Sequence, residues 1–370
     1  MVERGQKNAP EIACFATQGS GSGDHSRIVT LLELVDPVSL EFNHGLKLRS
    51  SLRLLRTLLR QRPALVVMEG TGVAGGLALV AARLLAGVRY VVSSGDAVQA
   101  YVKINHPLLA PLAGLYERAL CRLSSGYIGW SPYLVGRALS FGAPRAMTAA
   151  NWAAAPPRPE LRTAVRAELG IPEEAIVFGI VGSLQWNDSV GYCYGMEIVR
   201  ALRNVDRQDL RVVVVGDGSG LARLEDAAGD ELGRRVLLPG RVARERVPEC
   251  LAALDVASLP QSVDGVGSFR YTTKLSEYVA STLPVVTGQI PLAYDLDDGW
   301  LWRLPGKTPW DPHYVQALAH LMRTLSREEL ADRKAAVPAE LPIFDRTLQQ
   351  RAVASFVNDL LAQGQAPNDA

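Results

Sequence analysis

A lysine and a glutamate three residues apart are the side chains of this sequence best suited to bind a charged ligand. Lys274 and Glu277 lie in Phe269-Arg-Tyr-Thr-Thr-Lys-Leu-Ser-Glu-Tyr-Val-Ala, which predicts a helix over 274–282. Their spacing places both on one face of its first turn, where free backbone N–H groups and the helix dipole attract anions. Lys274 and the N–H groups of 271–273 would bind a diphosphate, and Glu277 would accept hydrogen bonds from ribose hydroxyls. A weak surface ion pair is the alternative.

Two glycine-rich turns follow predicted strands and can bring the backbone close to a ligand. The first contains Gly21, Gly23 and Asp24, directly after the first strand, and the second is Gly216-Asp-Gly218-Ser-Gly220. Closely spaced glycines before a helix suit an anion or a hydroxyl. Neither turn completes the GxGxxG pattern, which disfavours a dinucleotide-dependent dehydrogenase. We expect the first turn to form an acceptor-side loop that closes over the site, although either could be a tight turn that binds nothing.

Asp96 is the acid best placed for acceptor chemistry. It follows a predicted strand in Val-Ser-Ser-Gly-Asp, and the carboxyl ends of parallel strands form the ligand-binding edge of an open sheet. We predict a catalytic role for Asp96, with a capping or turn role as the alternative. His25 and His106 are expected to be surface histidines.

No group of side chains has the spacing of a metal site. The four cysteines are far apart in the sequence and form no CxxC pair or His/Cys cluster, which indicates reduced thiols. The acidic run Asp295, Asp297 and Asp298 is expected to be an exposed turn. We therefore predict an activity that needs neither a metal nor a cofactor.

Alternating strand-like and helix-like patterns position these residues and predict an α/β fold. Apolar runs typical of buried parallel strands lie at 12–16, 64–68, 90–93, 127–130, 175–182, 210–216, 236–238, 256–259 and 285–287. Helical patterns lie at 25–34, 48–59, 75–85, 108–123, 133–141, 221–228, 245–254, 274–282 and 344–362. Three prolines within 153–160 predict an extended linker. The expected domains are residues 1–155 on the acceptor side and 156–345 for the donor, with a helix and polar tail over 346–370, the helix packing back on the first domain.

Length and composition indicate a folded, enzyme-sized protein. The 370 residues allow two domains, and 48% hydrophobic with 21% charged residues is ordinary for a globular chain. A net charge of +1 gives no global field that would attract nucleic acid. The polar N-terminus lacks the apolar core of a signal peptide, which predicts a cytoplasmic protein. The region 107–123, with leucines on one face and Arg118 and Arg122 on another, allows peripheral contact with the inner membrane face, packing on a core being the alternative.

The order of several motifs resembles the donor domain of glycosyltransferase family 4. The similar segments, within 175–290, are Val181-Gly-Ser-Leu, Val215-Gly-Asp-Gly, Leu238-Pro-Gly-Arg-Val, Leu254-Asp-Val-Ala-Ser-Leu-Pro, Lys274-Leu-Ser-Glu-Tyr-Val-Ala and Leu283-Pro-Val-Val. The resemblance implies the GT-B architecture, in which two doubly wound Rossmann-like domains face a cleft. It also implies a nucleoside diphosphate sugar as donor, retention at the anomeric carbon and no metal. The N-terminal half is similar only in its strand pattern and early glycine loop.

The resemblance further implies roles for individual residues. Glu277 corresponds to the carboxylate that binds the ribose, and Thr272, Thr273 and Lys274 correspond to the phosphate-facing turn. The rest of the implied donor-binding set is Gly182 and Ser183 at the diphosphate, Gly216 and Gly218 in the next turn, and Arg241 and Val242 around the nucleobase.

Two departures from the family pattern remove charges from this expected site. The family usually has a glutamate eight residues before the ribose-binding one, and that position is Phe269 here. The arginine and lysine usual after the first donor-domain strand are absent from Ser183-Leu-Gln-Trp-Asn-Asp-Ser-Val. Because a diphosphate needs neutralisation, we expect Arg270 and Lys274 to compensate, helped by backbone N–H groups of 265–268.

The sequence therefore predicts a retaining glycosyltransferase that moves a sugar from a UDP- or GDP-type donor to a hydroxyl. A catalytically impaired GT-B-fold binding or partner protein is the main alternative, favoured by Phe269 and the absent cations. A sugar-nucleotide epimerase is a weaker one, because it requires several acids and bases around the sugar that the sequence does not offer.

Overall fold

The computed structural model describes residues 11–365, and these form two compact units. The first contains residues 11–151, 269–271 and 342–365, and the second contains 152–268 and 272–341. Within the described residues each unit is built on a six-stranded parallel sheet with helices between the strands. The predicted α/β class with two doubly wound sheets is confirmed.

The strands and helices of the first unit follow the βαβ pattern. Its strands are β1 (Ile12–Ala16), β2 (Val38–Ser39), β3 (Leu65–Glu69), β4 (Tyr90–Ser94), β5 (Gly126–Gly129) and β6 (Ala146–Thr148). Its helices are α1 (Gly23–Leu31), α2 (Lys47–Gln61), α3 (Val73–Ala86), α4 (Val98–Asn105), α5 (Ala110–Leu123) and α6 (Pro132–Ser140).

The second unit repeats the pattern, and a last helix returns to the first unit. The strands are β7 (Ile176–Val181), β8 (Leu210–Val215), β9 (Val236–Gly240), β10 (Val256–Leu259), β11 (Val285–Gly288) and β12 (Leu301–Leu304). The helices are α7 (Arg162–Glu168), α8 (Met196–Leu202), α9 (Leu221–Ala228), α10 (Val247–Ala252), α11 (Thr273–Ala280), α12 (Leu292–Asp295), α13 (Pro312–Thr324), α14 (Arg327–Ala335) and α15 (Arg346–Gln365). Helix α15 packs on α1 of the first unit.

Each sheet has a position where the chain reverses its direction of strand addition. The orders are β2-β1-β3-β4-β5-β6 and β12-β11-β10-β7-β8-β9. The reversals therefore lie between β1 and β3 in the first sheet and between β7 and β10 in the second. Open parallel sheets bind ligands at the carboxyl ends of the strands beside such a reversal. The loops after β1, β3, β7 and β10 are thus the positions to search for a site.

The predicted strands are all present within the described residues, but three further strands are not foreseen. These are β2, β6 and β12, which have two, three and four residues. The two residues of β2 are exposed and those of β6 half-buried, so neither strand shows the fully buried apolar pattern used for prediction. The predicted helix over 245–254 is also shorter, because 244–246 forms a 3₁₀ turn and α10 spans only Val247–Ala252.

Candidate functional site

The turn after β7 is closely packed against the turn after β8. A Cβ on Gly216 would lie 1.8 Å from the carbonyl oxygen of Gly182, and one on Gly218 would lie 2.6 Å from the carbonyl carbon of Leu184. Gly216 and Gly218 also have φ values of +146° and +152°, which favour glycine. Backbone packing therefore accounts for both glycines, while Ser183 between the two turns is exposed.

Lys274 lies directly against the Gly182 turn. A Cβ on Gly182 would be 2.7 Å from Lys274 Cε and 2.9 Å from its Nζ. The same ammonium lies 4.6 Å from the centroid of the Tyr194 ring, a cation–π contact. The absence of a side chain at Gly182 thus gives Lys274 room at the end of β7, so the structure brings together two residues that the sequence assigned to the diphosphate.

The first turn of α11 presents an unsatisfied hydroxyl beside this lysine. Thr272 is the N-cap residue of α11 and has extended backbone, but its side chain makes no capping hydrogen bond. Its Oγ1 is buried and has no hydrogen-bond partner in the described part of the chain. The N-terminus of a helix together with an unsatisfied hydroxyl is suited to phosphate oxygens. Thr273 follows as the first residue of the helix.

Glu277 lies in a cavity on the next turn of α11. The cavity is lined by Ala154, Ala155, Arg244, Val247, Pro248, Leu251, Glu277 and Ser281. Burial raises the pKa of the Glu277 carboxyl, while the positive charges of Lys274 and Arg244 act to lower it. No ion pair joins Glu277 to Lys274 within residues 11–365, so the surface-pair alternative does not describe this site. Glu277 is instead a partly buried carboxylate in an otherwise largely apolar cavity.

The segment after β9 borders the same cavity. Arg241 is exposed and Val242 half-buried, directly after the end of the strand. Arg244 follows in the 3₁₀ turn and lines the cavity with Glu277. Sequence reasoning missed Arg244, although its position three residues after Arg241 in Gly-Arg-Val-Ala-Arg was the available signal.

The loop after β7 contains no cation, and a neighbouring helix supplies one. The backbone N–H of Trp186 donates to Ser219 Oγ at 3.0 Å, which ties this loop to the start of α9. Arg223 of α9 lies over the Trp186 ring, with 5.1 Å between its Cζ and the ring centroid. Arg223 of α9 thus brings a positive charge to the loop after β7. The sequence of the loop alone does not predict this charge.

The glycine loop of the first unit leads into α1. Gly21 and Gly23 are exposed, and Ser22 caps the helix by accepting from the N–H of His25 at 3.1 Å. His25 is half-buried, and its Nε2 is 2.7 Å from Ser39 Oγ in an exposed contact. His106 is exposed, as expected.

The Asp24 carboxyl in this loop has a raised pKa. Burial, followed by the negative charges of Glu69 and Asp96, raises the pKa of Asp24 from 3.8 to about 6, and Arg27 partly opposes this shift. Its Oδ2 would be 3.9 Å from a Cβ on Gly70, the residue after β3. Asp24 therefore lies at the reversal between β1 and β3, where an open sheet binds ligands.

A buried ion pair underlies Asp24. Arg27 Nη1 donates to Glu69 Oε2 at 2.6 Å, and both side chains are at most 2% exposed. Trp130 Nε1 donates to the other Glu69 oxygen at 3.0 Å, and the Arg27 guanidinium lies 4.4 Å from the Trp130 ring centroid. Sequence reasoning missed this cluster, although a glutamate ending the apolar strand β3 before Gly-Thr-Gly was a visible signal.

Asp96 is bound to an arginine that the sequence had assigned to the donor. Arg270 Nη2 and Nε lie 2.5 and 2.7 Å from Asp96 Oδ1. The Asp96 side chain is 55% exposed, and its N–H donates to Ser94 Oγ. Arg270 therefore offers its charge to a carboxylate of the first unit, and a diphosphate would have to compete for it.

Phe269, at the position of the absent glutamate, packs on the core of the first unit. Its carbonyl oxygen accepts from Ser131 Oγ at 2.5 Å, and its ring centroid is 5.7 Å from the Arg137 Cζ. Phe269 therefore contributes packing where a carboxylate would contribute hydrogen bonds.

The acidic run after β11 differs from the exposed turn expected. Asp295 and Asp298 are exposed, but the Asp297 side chain is only 8% exposed. Asp297 Oδ1 accepts from the N–H groups of Gly299 and Leu301, and its Oδ2 is 3.5 Å from Arg303. Within residues 11–365 no group of three or more His, Cys, Asp or Glu side chains is arranged to hold a metal ion.

Comparisons with known proteins agree with this architecture. Residues 175–325 match the family model described as Glycosyl transferases group 1. A search of curated proteins finds no match. HepE from Anabaena, solved with UDP, is similar at a TM-score of 0.67 and 16% identity over 94% of this chain and 100% of that chain. Sucrose-phosphate synthase from Thermosynechococcus elongatus gives 0.67 and 14% over 96% and 100%. The galactosyltransferase WaaB, an enzyme of the lipopolysaccharide outer core, gives 0.59 and 14% over 94% and 99%.

The similarity to these solved structures establishes the fold. The chain has the GT-B fold of two Rossmann-like domains, as the resemblance implied. Apart from residues 269–271, the match to the family model lies within the second unit, which also contains Gly182, Lys274 and Glu277.

Proposed function

We propose that this protein is a retaining glycosyltransferase that transfers a sugar from a nucleoside diphosphate sugar to an acceptor hydroxyl. The observation that carries the proposal is the first turn of α11, where a buried hydroxyl without a partner, a lysine and a cavity carboxylate follow one another. The matched family model covers these residues. Because HepE was solved with UDP, UDP is the first nucleotide to test, with GDP as the alternative.

The donor would bind with its diphosphate at the N-terminus of α11. Lys274 Nζ, Thr272 Oγ1 and the N–H groups of the first turn would donate to the phosphate oxygens, beside the backbone of Gly182 and Ser183. Glu277 would accept from the ribose hydroxyls, with Arg241 and Val242 at the base. Lys274 is the cation that we assign to the leaving group, because Arg270 has a carboxylate partner.

Transfer breaks the bond between the anomeric carbon and the diphosphate oxygen and forms one to the acceptor oxygen. The diphosphate leaves with the bonding electron pair, and positive groups placed around it lower the barrier. We propose that the protein itself supplies this charge and that no metal takes part. Transfer that persists after chelation by EDTA supports this step, whereas loss that manganese or magnesium restores would overturn it.

The acceptor hydroxyl must lose its proton during transfer. Asp24 suits this step, because a carboxylate with a pKa of about 6 is a stronger base than a free aspartate and is still ionised at neutral pH. We propose that Asp24 accepts the proton. Asp96 remains a candidate for positioning the acceptor, with its carboxylate held by Arg270.

A non-catalytic binding or partner protein is the second candidate, and one specific observation favours it. Phe269 packs into the first unit in place of a glutamate that would contact sugar hydroxyls. Such a protein would keep the fold and could keep nucleotide binding, but it would transfer no sugar.

Thermal unfolding with a panel of UDP-, GDP- and dTDP-sugars tests the proposed function. A ligand at a hundred times its dissociation constant adds about 2.7 kcal/mol to the stability of the folded state. We expect one nucleotide class to raise the unfolding temperature, with the sugar appearing on an acceptor when that donor is incubated with candidate acceptors. Stabilisation without any transfer favours the partner protein, and no shift with any donor overturns the donor site.

A further inference from the structure

Helix α2 presents an unusual concentration of positive charge on one face. Arg49, Arg53, Arg56 and Arg60 recur every three or four residues, which places them in one stripe, and all four are exposed. The helix Lys47–Gln61 contains no Asp or Glu. Since the whole chain has a net charge of only +1, this stripe is a local feature and not a reflection of overall composition.

The stripe is not neutralised by the protein itself. Arginines at i and i+4 on a helix repel each other, so successive members of the stripe destabilise the isolated helix slightly. Among the four, only Arg53 has an ion-pair partner within the described residues, Glu41 at 3.5 Å. Both side chains of that pair are more than 70% exposed, so it contributes little. An anionic partner outside the chain would relieve the repulsion.

Exposed leucines border the arginine stripe. Leu48 is 80% exposed and Leu52 is 57% exposed, while the opposite side of α2 buries Ser50, Leu54 and Leu58 against the first unit. Helix α2 packs on α3, and α3 packs on α5. The neighbouring helices expose further leucines, among them Leu84, Leu85, Leu108, Leu112 and Leu115. Leu108, Leu112 and Leu115 of region 107–123 thus face outward, whereas Leu120 is buried in the core of the first unit.

We infer that α2 docks the protein on an anionic lipid surface. The arginines would bind headgroup phosphates, and Leu48 and Leu52 would enter the boundary between headgroups and acyl chains. The leucines favour a lipid surface over a nucleic acid, because a purely electrostatic partner has no use for exposed apolar side chains beside the charges. Within residues 11–365 no helix is long and apolar enough to cross a membrane, so the contact proposed is peripheral. The inference goes beyond the proposed function and does not depend on it.

Vesicle sedimentation with the whole protein tests the inference. The probes are vesicles of phosphatidylcholine alone and of equal parts phosphatidylcholine and phosphatidylglycerol, and duplex DNA serves as the competing anion. One variant changes Arg49, Arg53, Arg56 and Arg60 to Gln. The matched control changes the same number of exposed arginines elsewhere, Arg200, Arg234, Arg327 and Arg351, to Gln. A third variant, Leu48→Gln with Leu52→Gln, tests the apolar contribution.

We expect the wild type to bind the anionic vesicles and not the neutral ones. The α2 arginine variant should lose more than about tenfold in partitioning while the control loses little, because each cation near an anionic surface contributes to binding. The leucine variant should weaken the binding that remains at high salt, where charge is screened. Circular dichroism checks that every variant is folded. No binding to anionic vesicles, equal losses in both arginine variants, or α2-dependent binding to DNA but not to vesicles would overturn the inference.

Discussion

Burial is the largest cause of the raised pKa of both Glu277 and Asp24, but the charged neighbours of the two carboxyls differ. Glu277 is desolvated in a cavity on α11 but lies near two cations, Lys274 and Arg244. Asp24 is desolvated and lies near two other acids, Glu69 and Asp96, with Arg27 opposing them. Neighbouring cations favour the ionised form of a carboxyl, whereas neighbouring acids favour its protonated form. The first environment suits binding and the second suits proton transfer.

Glu277→Gln should weaken nucleotide-sugar binding or turnover about tenfold or more, about 1.4 kcal/mol, because the amide is a weaker acceptor for the ribose hydroxyls. Steady-state kinetics with the donor identified by the thermal screen measures the effect. Glu245→Gln, at an exposed glutamate of the neighbouring 3₁₀ turn, is the control and should change little. Equal kinetics for wild type and Glu277→Gln, with the fold intact, would refute the ribose assignment.

Protonation of Asp24 should lower kcat on the acidic side of the pH profile, a decline called here the acidic limb. Transfer by the wild type is expected to fall as pH drops through about 6, where Asp24 becomes protonated and can no longer accept a proton. Asp24→Asn should lower kcat and abolish this limb, while Asp96→Asn should retain it. A pH profile of kcat for the three proteins makes the measurement. An unchanged acidic limb in Asp24→Asn would show that another group is the base.

The raised pKa of Asp24 also predicts how the free energy of unfolding changes with pH. Because folding raises the Asp24 pKa from 3.8 to about 6, the folded protein binds this proton more tightly than the unfolded chain does. The contribution of Asp24 to stability therefore falls as pH rises across that interval and stays low above it. Urea unfolding of wild type and Asp24→Asn should show the variant gaining relative stability between pH 4 and pH 7. A relative loss over that range would mean that the carboxylate is stabilised by the fold.

At the scale of elements, a buried ion network fixes the start of the second unit. Asp255 accepts from Arg162 at 2.6 Å, from Arg166 at 2.7 Å and from the N–H of Val177 at 2.8 Å. These contacts join α7 to the beginnings of β7 and β10. The Asp255 side chain is 11% exposed, so its removal would leave Arg166, itself 1% exposed, without its carboxylate.

Asp255→Ala should destabilise the protein by about 3–5 kcal/mol, the usual cost of leaving one partner of a buried pair uncompensated. Asp209→Ala is the matched control, because Asp209 pairs with Arg207 but is 37% exposed, and its loss should cost at most about 1 kcal/mol. Chemical denaturation measures both. Similar losses for the two variants would show that the Asp255 network has no special role.

The sequence predicts elements with a strong local signal and misses those without one. Strands such as β3 and β8 contain runs of three or more apolar residues that a parallel sheet buries on both faces. Strand β2, with two exposed residues, has no such signal, and the pairing that creates it is long-range. Helix α11 was predicted to within two residues because its apolar positions recur with helical spacing.

For the candidate site too, the sequence predicts individual residues but not the contacts between residues of separate elements. Lys274 and Glu277 were identified from their spacing on one helix and from the family resemblance. The contact of Lys274 with Gly182 and Tyr194 joins separate elements, and so does the pairing of Asp96 with Arg270. Neither partner choice follows from local sequence, because it depends on which loops the sheet order brings together.

For the whole molecule, the two units contain different groups of candidate site residues. Apart from residues 269–271, the matched range 175–325 lies within the second unit, which also contains Lys274 and Glu277. The first unit contains the Asp24 and Asp96 acids and the arginine stripe of α2. The proposed donor site is supported both by the family match and by the arrangement of Lys274 and Glu277. Observing a bound donor there would therefore test the proposed function most directly.

The most direct test is a crystal structure of the protein with the nucleoside diphosphate selected by the thermal screen. The account predicts phosphate oxygens about 2.7–3.2 Å from Lys274 Nζ and Thr272 Oγ1, beside the Gly182 backbone, and ribose hydroxyls at the same distance from Glu277. A nucleotide bound on another surface, or one whose phosphates lie away from the N-terminus of α11, would contradict the account.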